Sequence, residues 1–350
     1  MLSFIFKRLL WGLMLLFVMS LITFVMFFML VPDSRNAQRN EQGFAAGLQT
    51  NYNIRGSFVH QYVGFVEHIV RLDLGTSTRS SKPVTQVIHE TLPITASLVI
   101  GGMLICLLIA IPIGVISALR PRSLIDRASM LFVLILISCQ PFWLGLMLEY
   151  LLGVRAHAFP VGGYCDFTYN ELSSNLCGGP RYWAYHLILP WLTFAALFAA
   201  FYARMIRASL LEQLNEDYVR TARAKGASSR RVLRAHVIRN AALPVVTMLG
   251  MDVGVAFAGA LFIETAFTLG GMGQLLVRSL TNNDLPVILG IVLVVSVAVV
   301  IANLIVDILY SLLDPRIRLH SSSEGVQASR RVVRQLRTQP QQAAEPASPT

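Results

Sequence analysis

Between Arg8 and Asp33 the chain runs for 24 residues without a charge. Similar runs recur: 29 residues between Glu90 and Arg120, 21 between Arg127 and Glu149, 22 from Tyr182 to Ala203 and 22 from Leu285 to Val306. A hydrocarbon layer about 30 Å thick needs roughly 20 apolar residues of helix at about 1.5 Å rise each, so each run suffices for one crossing. The stretch from Asn240 to Ile263 has the same length but holds Asp252 near its middle. Counting it, the expectation is an all-α polytopic membrane protein with six spans at 9–32, 93–119, 128–150, 184–206, 241–264 and 285–312. Composition agrees, because 14% of the 350 residues are charged, whereas a soluble domain has about 25%. A water-soluble globule is excluded. The first run is read as a retained helix: a cleaved signal has an apolar core of about 7–15 residues before a small-residue site, while Leu9 to Val31 is longer and ends in VPDSR.

Lys and Arg resist translocation and collect on the cytoplasmic side. With both termini inside, 20 of the 29 Lys and Arg fall on inner segments (before the first span, 120–127, 207–240 with its flank, and the 313–350 tail) and 9 on the outer segments 33–92, 151–183 and 265–284. The formal charge of +10 thus records orientation and contact with anionic lipid, and calls for no nucleic-acid partner. Within 33–92, Tyr52, Phe58, Tyr62 and Phe65 have a helical rhythm, which predicts a packed outer cap. After Arg318 the composition turns to Ser, Gln, Ala, Pro and Arg, a tail too polar to bury a core.

Covalent chemistry is not indicated. A Walker A loop needs a Lys after Gly, but Lys7, Lys82 and Lys225 follow Phe6, Ser81 and Ala224. The only His-Glu pair, His89 and Glu90, lacks the second His of a zinc-protease helix, and no GxSxG elbow is present. Cys106 and Cys139 fall inside spans and read as small apolar residues. Cys165 and Cys177 share an outer loop, where a bond would close a 13-residue ring; two free thiols are the alternative.

An ionisable group at bilayer depth faces a water-filled passage or a partner. Asp252 sits about 16 Å along its helix from Ala241, and its face continues through Ala256 and Gly259, small enough to line a translocation path. A structural Asp bonded to a neighbouring helix is the competing reading. Gly250, Gly254 and Ala258 form a separate small-residue row suited to close packing. Glu264 closes the same span, where it is expected either to meet a docked protein or to snorkel. Glu149 and Asp307 read as interface anchors, and Ala110, Gly114 and Ala118 as packing beside Pro112.

The densest signal is the segment SLLEQLNEDYVRTARAKGASSRRVLRAHVIRNAALPV. Leu211, Leu214, Tyr218 and Ala222 form one helical stripe, Gly226 supplies a left-handed stop, and Ser228 or Ser229 can start the next helix. DYVRTARAKG followed by HVIRNAALPV resembles the cytoplasmic loop of the dipeptide, oligopeptide and nickel permease family of ABC importers. FKRLLWGLMLLFVMSLITF, RLDLGTSTRSSKPVTQVIHETLPITASLVI, ETAFTLGGMGQLLVRSL and VDILYSLLDPRIR extend the resemblance over most of the chain in the right order.

That resemblance implies a type I importer permease fold in a bacterial or archaeal inner membrane. It implies a short helix docking into a separate ATPase subunit, here through Asp217, Tyr218, Thr221, Ala222, Ala224 and Gly226. The implied partners are a second homologous permease, two ATPase domains that bind ATP and Mg, and an extracytoplasmic substrate-binding protein; this chain itself would bind no cofactor and catalyse no reaction. Arg220 stands where the general motif has an acidic residue, and Asp252 where the family carries an uncharged polar one. The contrasting class is an ion-gradient-driven transporter using Asp252 as its proton site, whose inverted repeats the sequence does not display.

Overall fold

The computed structural model describes residues 2–30, 58–71, 73–168 and 177–313. Among them there is no strand; helices α1 (Leu2–Leu30), α3 (Val84–Leu119), α6 (Pro180–Leu214), α9 (Ile238–Ala266) and α11 (Leu285–Leu313) form the bundle. Shorter helices are α2 (Phe58–Val70), α4 (Leu124–Ser138), α5 (Pro141–Leu148), α7 (Asp217–Ala224), α8 (Ser229–Val232) and α10 (Met272–Thr281). Two π-helical turns, Glu149–Arg155 and Leu233–Val237, continue α5 and lead into α9.

Five helices are long and apolar enough to cross a membrane, or six spans if α4 and α5 together make one. The run expected as a straight span over 128–150 is instead bent by 100°. The cause is local: Pro141 opens α5, and Cys139 and Gln140 before it are extended (ψ 128° and 132°). Proline disfavours helical backbone in the residue it follows, yet suits the first position of a new helix.

Helix α6 forms the axis of the core. Its Leu187, Phe194, Tyr202, Ala203 and Leu210 are buried with Leu98, Cys106, Ala110 and Ala118 of α3 and Ala256, Ala260 and Ile263 of α9. At Gly114 of α3 a Cβ would stand 2.7 Å from Ile206 Cγ2, so the missing side chain is what lets α3 and α6 approach so closely. Lipid is as apolar as leucine, hence such contacts hold by close fit rather than by expelling water. The exposed faces remain apolar, as at Trp11, Leu104, Leu131 and Ile301.

Helix α2 covers one end of this bundle. Tyr62 and Phe65 meet Phe24 of α1 at ring-centroid distances of 5.4 Å each, and Ser20 Oγ lies 2.9 Å from the Tyr62 hydroxyl. Leu289 and Leu293 of α11 complete the cluster. Of the expected aromatic cap, Tyr52 and the Phe58 side chain lie outside the described residues, as does the tail beyond Leu313.

Candidate functional site

Helix α6 runs unbroken to Leu214, and two residues later α7 begins. Val219 of α7 is fully buried, and the Tyr218 hydroxyl donates to Gln213 Oε1 at 2.8 Å. Leu211, Leu214, Tyr218 and Ala222 all pack against the main core. The opposite face, Asp217, Arg220, Thr221 and Ala224, is exposed, together with Arg223, Lys225 and Gly226. Of the six residues expected at an ATPase contact, Asp217, Thr221, Ala224 and Gly226 are therefore on the open side, while Tyr218 and Ala222 hold the helix down.

The stop is chemically complete. Gly226 has φ +81°, its N–H donates to the Arg223 carbonyl at 2.9 Å, and the Ala227 N–H donates to the Ala222 carbonyl at 3.2 Å. This pair of bonds is the glycine-terminated C-cap, and Ala222 and Ala227, which one of them joins, both pack against the main core. Ser228 opens α8 without a side-chain capping bond.

About two turns before the end of α6 lies an ionic group that sequence reasoning did not find. Arg207 Nε and Nη2 donate to Asp126 Oδ1 and Oδ2 at 2.8 and 2.9 Å. Asp126, 4% exposed in the first turn of α4, also accepts from the Ser117 hydroxyl of α3 and, at 2.9 Å, from the Arg122 N–H. Arg207 Nε lies 3.1 Å from Ser117 Oγ as well. Two residues on, Ser209 Oγ donates to the Ala241 carbonyl of α9 at 3.1 Å. The available signal was a charge at the edge of each of two apolar runs, with nothing local to pair them. Asp307, near the end of α11, forms a 3.0 Å ion pair with Arg8 of α1.

Midway along the bundle, the fully buried Tyr202 donates its hydroxyl to Asp252 Oδ2 at 2.8 Å. Asp252 is half-buried, Ala256 is fully buried against its own chain, and a Cβ on Gly259 would meet Leu197 of α6 at 3.2 Å. The face expected to line a path thus turns toward α6; Asp252 and Gly259 keep some exposed surface and Ala256 keeps none. Gly250 lies on the other side, where a Cβ would stand 2.8 Å from Val306 of α11.

At the far end, Glu264 departs from both of its expected roles, for it is 0% exposed and can neither snorkel nor touch a docked protein. Its Oε1 accepts from the Thr95 hydroxyl of α3 at 2.5 Å and its Oε2 from the Gln274 N–H at 3.1 Å. Thr95 Oγ1 in turn accepts from the Met272 N–H at 2.8 Å. Together the two side chains cap the start of α10, whose first N–H groups have no helical partner. A Cβ on Gly271 would lie 2.5 Å from the Glu264 carboxyl, so the Gly-Gly-Met-Gly run after ETAFTL was the sequence signal for a carboxyl buried there. Nearby, Asp284 (4% exposed) accepts from Ser77 Oγ at 2.5 Å and from the Thr78 N–H at 3.2 Å. Cys165 and Cys177 form a disulfide with Cα atoms 5.4 Å apart.

The chain matches the family profile described as binding-protein-dependent transport system inner membrane component over residues 110–319, and the amino-terminal profile of the same group over residues 1–99. It is 34% identical over 317 residues to the dipeptide transport system permease protein DppB of Escherichia coli strain K12, covering 85% of this chain and 94% of that one. The oligopeptide transport system permease protein AppB of Bacillus subtilis strain 168 is 37% identical over 289 residues, or 82% and 88% of the two chains. A putative peptide permease protein of Brucella suis is 35% identical over 329 residues, 91% of this chain and the whole of its own length. With its bundle of apolar helices and its exposed, glycine-stopped elbow, the chain belongs to the family of multi-pass inner-membrane permease components of ABC importers.

Proposed function

We propose that this chain forms one half of the passage of an ATP-driven importer for peptides or related small solutes. ATP and Mg are bound by two partner ATPase domains, a second permease completes the passage, and an extracytoplasmic binding protein delivers the cargo. The end carrying α7, α8 and both termini faces the cytoplasm. There the open face of α7, Asp217, Arg220, Thr221 and Ala224, docks on an ATPase, and the chain itself catalyses nothing. The observation that carries this reading is the division of α7 into one buried face, with Val219 fully enclosed, and one open face ending at Gly226. Peptides are the cargo class because the relatives' names are those of peptide permeases. Asp252, held by Tyr202, supplies negative charge to the path and favours cargo carrying an ammonium group.

Proteoliposomes holding the chain with its partner subunits test the whole reading: uptake of a labelled dipeptide requires ATP. Gradient-driven uptake by this chain alone overturns it. Gly226→Val tests the elbow. A β-branched residue at φ +81° is strained even though open space surrounds that site, so uptake is expected to vanish while membrane insertion persists. Unchanged uptake would remove α7 from the coupling path.

A further inference from the structure

The elbow packs on the main core through Val219, Tyr218 and Ala222 of α7 and Val232 of α8. Between α6 and α7 stand Asn215 and Glu216, the Tyr218 hydroxyl ties α7 to Gln213 in the last turn of α6, and Val219 seats α7 in the main core. A displacement of α7 is therefore passed to the last turn of α6 through Gln213, and to α8 through the Gly226 turn. A change of access needs more, because α3 and α4 must follow. Between α3 and α6 most contacts are apolar, and in lipid such contacts carry no hydrophobic penalty for sliding.

The polar exceptions among the described residues are the Trp191 Nε1 bond to the Ser97 carbonyl at 2.9 Å, far up the helix pair, and the Arg207 group near the elbow. Within one turn, α6 makes directional polar bonds to three of its neighbours: Arg207 to Ser117 of α3, Arg207 to Asp126 of α4, and Ser209 to Ala241 of α9. The guanidinium meets the carboxylate through two parallel bonds, a geometry that fixes orientation as well as distance. Asp126 is 4% exposed, so water is a poor substitute for Arg207 if the helices separate. Four residues, 120–123, link α3 to α4, and Ser123 Oγ accepts from the Asp126 N–H at 3.2 Å, which seats the carboxylate at the start of α4. Gly114, one turn from Ser117, brings the two long helices into backbone contact: a Cβ there would lie 2.8 Å from the Ala203 carbonyl.

We infer that Arg207 and Asp126 are positioning residues that lock α3, α4 and α6 into one body, so that movement delivered to α7 carries all three helices together. This inference rests on the reading of α7 as the ATPase contact. It assigns the pair no contact with cargo or nucleotide.

The test uses the assembled complex in proteoliposomes, with labelled dialanine as probe and with uptake and ATP hydrolysis measured on the same vesicles. Arg207→Lys keeps the charge but cannot reach both carboxylate oxygens, and Asp126→Asn keeps the shape but loses the charge. Both are expected to leave ATP hydrolysis running while dialanine imported per ATP falls about tenfold, within the range of couplings between separate sites. A second measurement reads the body directly, from spin labels at the exposed Glu212 and Leu124. With Arg207 present their separation is expected to stay the same with and without ATP, and in Arg207→Lys it changes.

An unchanged import ratio in both variants overturns the inference, as does a proportional fall of uptake and hydrolysis with a fixed label distance, which marks a purely structural pair. If neither variant assembles, Ser117→Ala, which removes the bonds Ser117 makes to Asp126 and Arg207 but leaves the Arg207–Asp126 pair itself, must lower the ratio; an unchanged ratio there overturns it too. Absence of ATP-dependent uptake in the unaltered complex sinks the importer reading instead, and the label distance still decides whether α4 and α6 move together.

Discussion

Asp126 and Glu264 are buried side chains at opposite ends of the same bundle, 4% and 0% exposed, and each ties three segments together by different means. Asp126 faces a full positive charge, because Arg207 reaches it from another helix and meets both its oxygens. Glu264 faces none among its hydrogen-bond partners, which are the Thr95 hydroxyl and the N–H groups that open α10. A paired ion is costly to break and indifferent to small losses around it, since the surviving charge is what becomes stranded. A carboxyl held by dipoles has no single dominant partner, so its cost is spread over every bond it makes. One end of the molecule should therefore fail abruptly and the other by degrees.

The largest expected effect comes from Arg207→Ala, which strands Asp126. Removing one partner of a fully enclosed pair costs about 3–5 kcal/mol; here a quarter of the Arg207 side chain meets solvent, and the screened value is about 2–3 kcal/mol. Thermal unfolding of the purified chain in detergent measures it. Adding Asp126→Leu to that variant should recover much of the loss, because neither charge is then left alone. Recovery of nothing would mean that the two ends differ in packing rather than in charge.

Glu264→Gln should cost less, about 1–2 kcal/mol by the same measurement, because the amide keeps the length and one acceptor oxygen. The penalty arises where its NH2 group turns toward the N–H donors of α10. Were Glu264→Gln to match Arg207→Ala, the carboxyl at this end would need its charge after all, and the contrast with Asp126 would collapse.

These two groups also divide what a sequence can disclose from what it cannot. The apolar runs and the helical class were legible because crossing a membrane is a requirement on each segment alone. The turn at Gly226 was legible for the same reason: a left-handed stop after an amphipathic stripe is a rule spanning about ten residues. The 100° bend at Gln140 and Pro141 was written locally too, yet the charge-free run on either side outweighed it. Arg207 and Asp126 are 81 positions apart, and Thr95 and Glu264 are 169 apart. Nothing in either neighbourhood specifies the other, so Glu264 looked like the end of a span facing water. The Gly271 and Gly273 backbone beside it held the clue, since a carboxyl needs room that a side chain there would fill.

The finest separation of the two ends uses their hydroxyls. Ser117 donates to a carboxylate that retains three further bonds, two from Arg207 and one from the Arg122 N–H. Ser117→Ala removes that bond and the 3.1 Å bond from Arg207 Nε, but Nε keeps Asp126 Oδ1 at 2.8 Å, so no buried donor is stranded and the cost should be only about 0.5–1.5 kcal/mol. Thr95 occupies a more exacting place. Its one oxygen donates to Glu264 and accepts from the Met272 N–H, so Thr95→Val removes both bonds at once and leaves a buried N–H without a partner. The expected loss is about 1–3 kcal/mol, and Thr95→Ser, which keeps the oxygen, should recover most of it. Unfolding of the three variants side by side puts Thr95→Val below Ser117→Ala in stability. The reverse order would show that Asp126 depends on its hydroxyl more than on its arginine, and that charge is not what distinguishes the two ends.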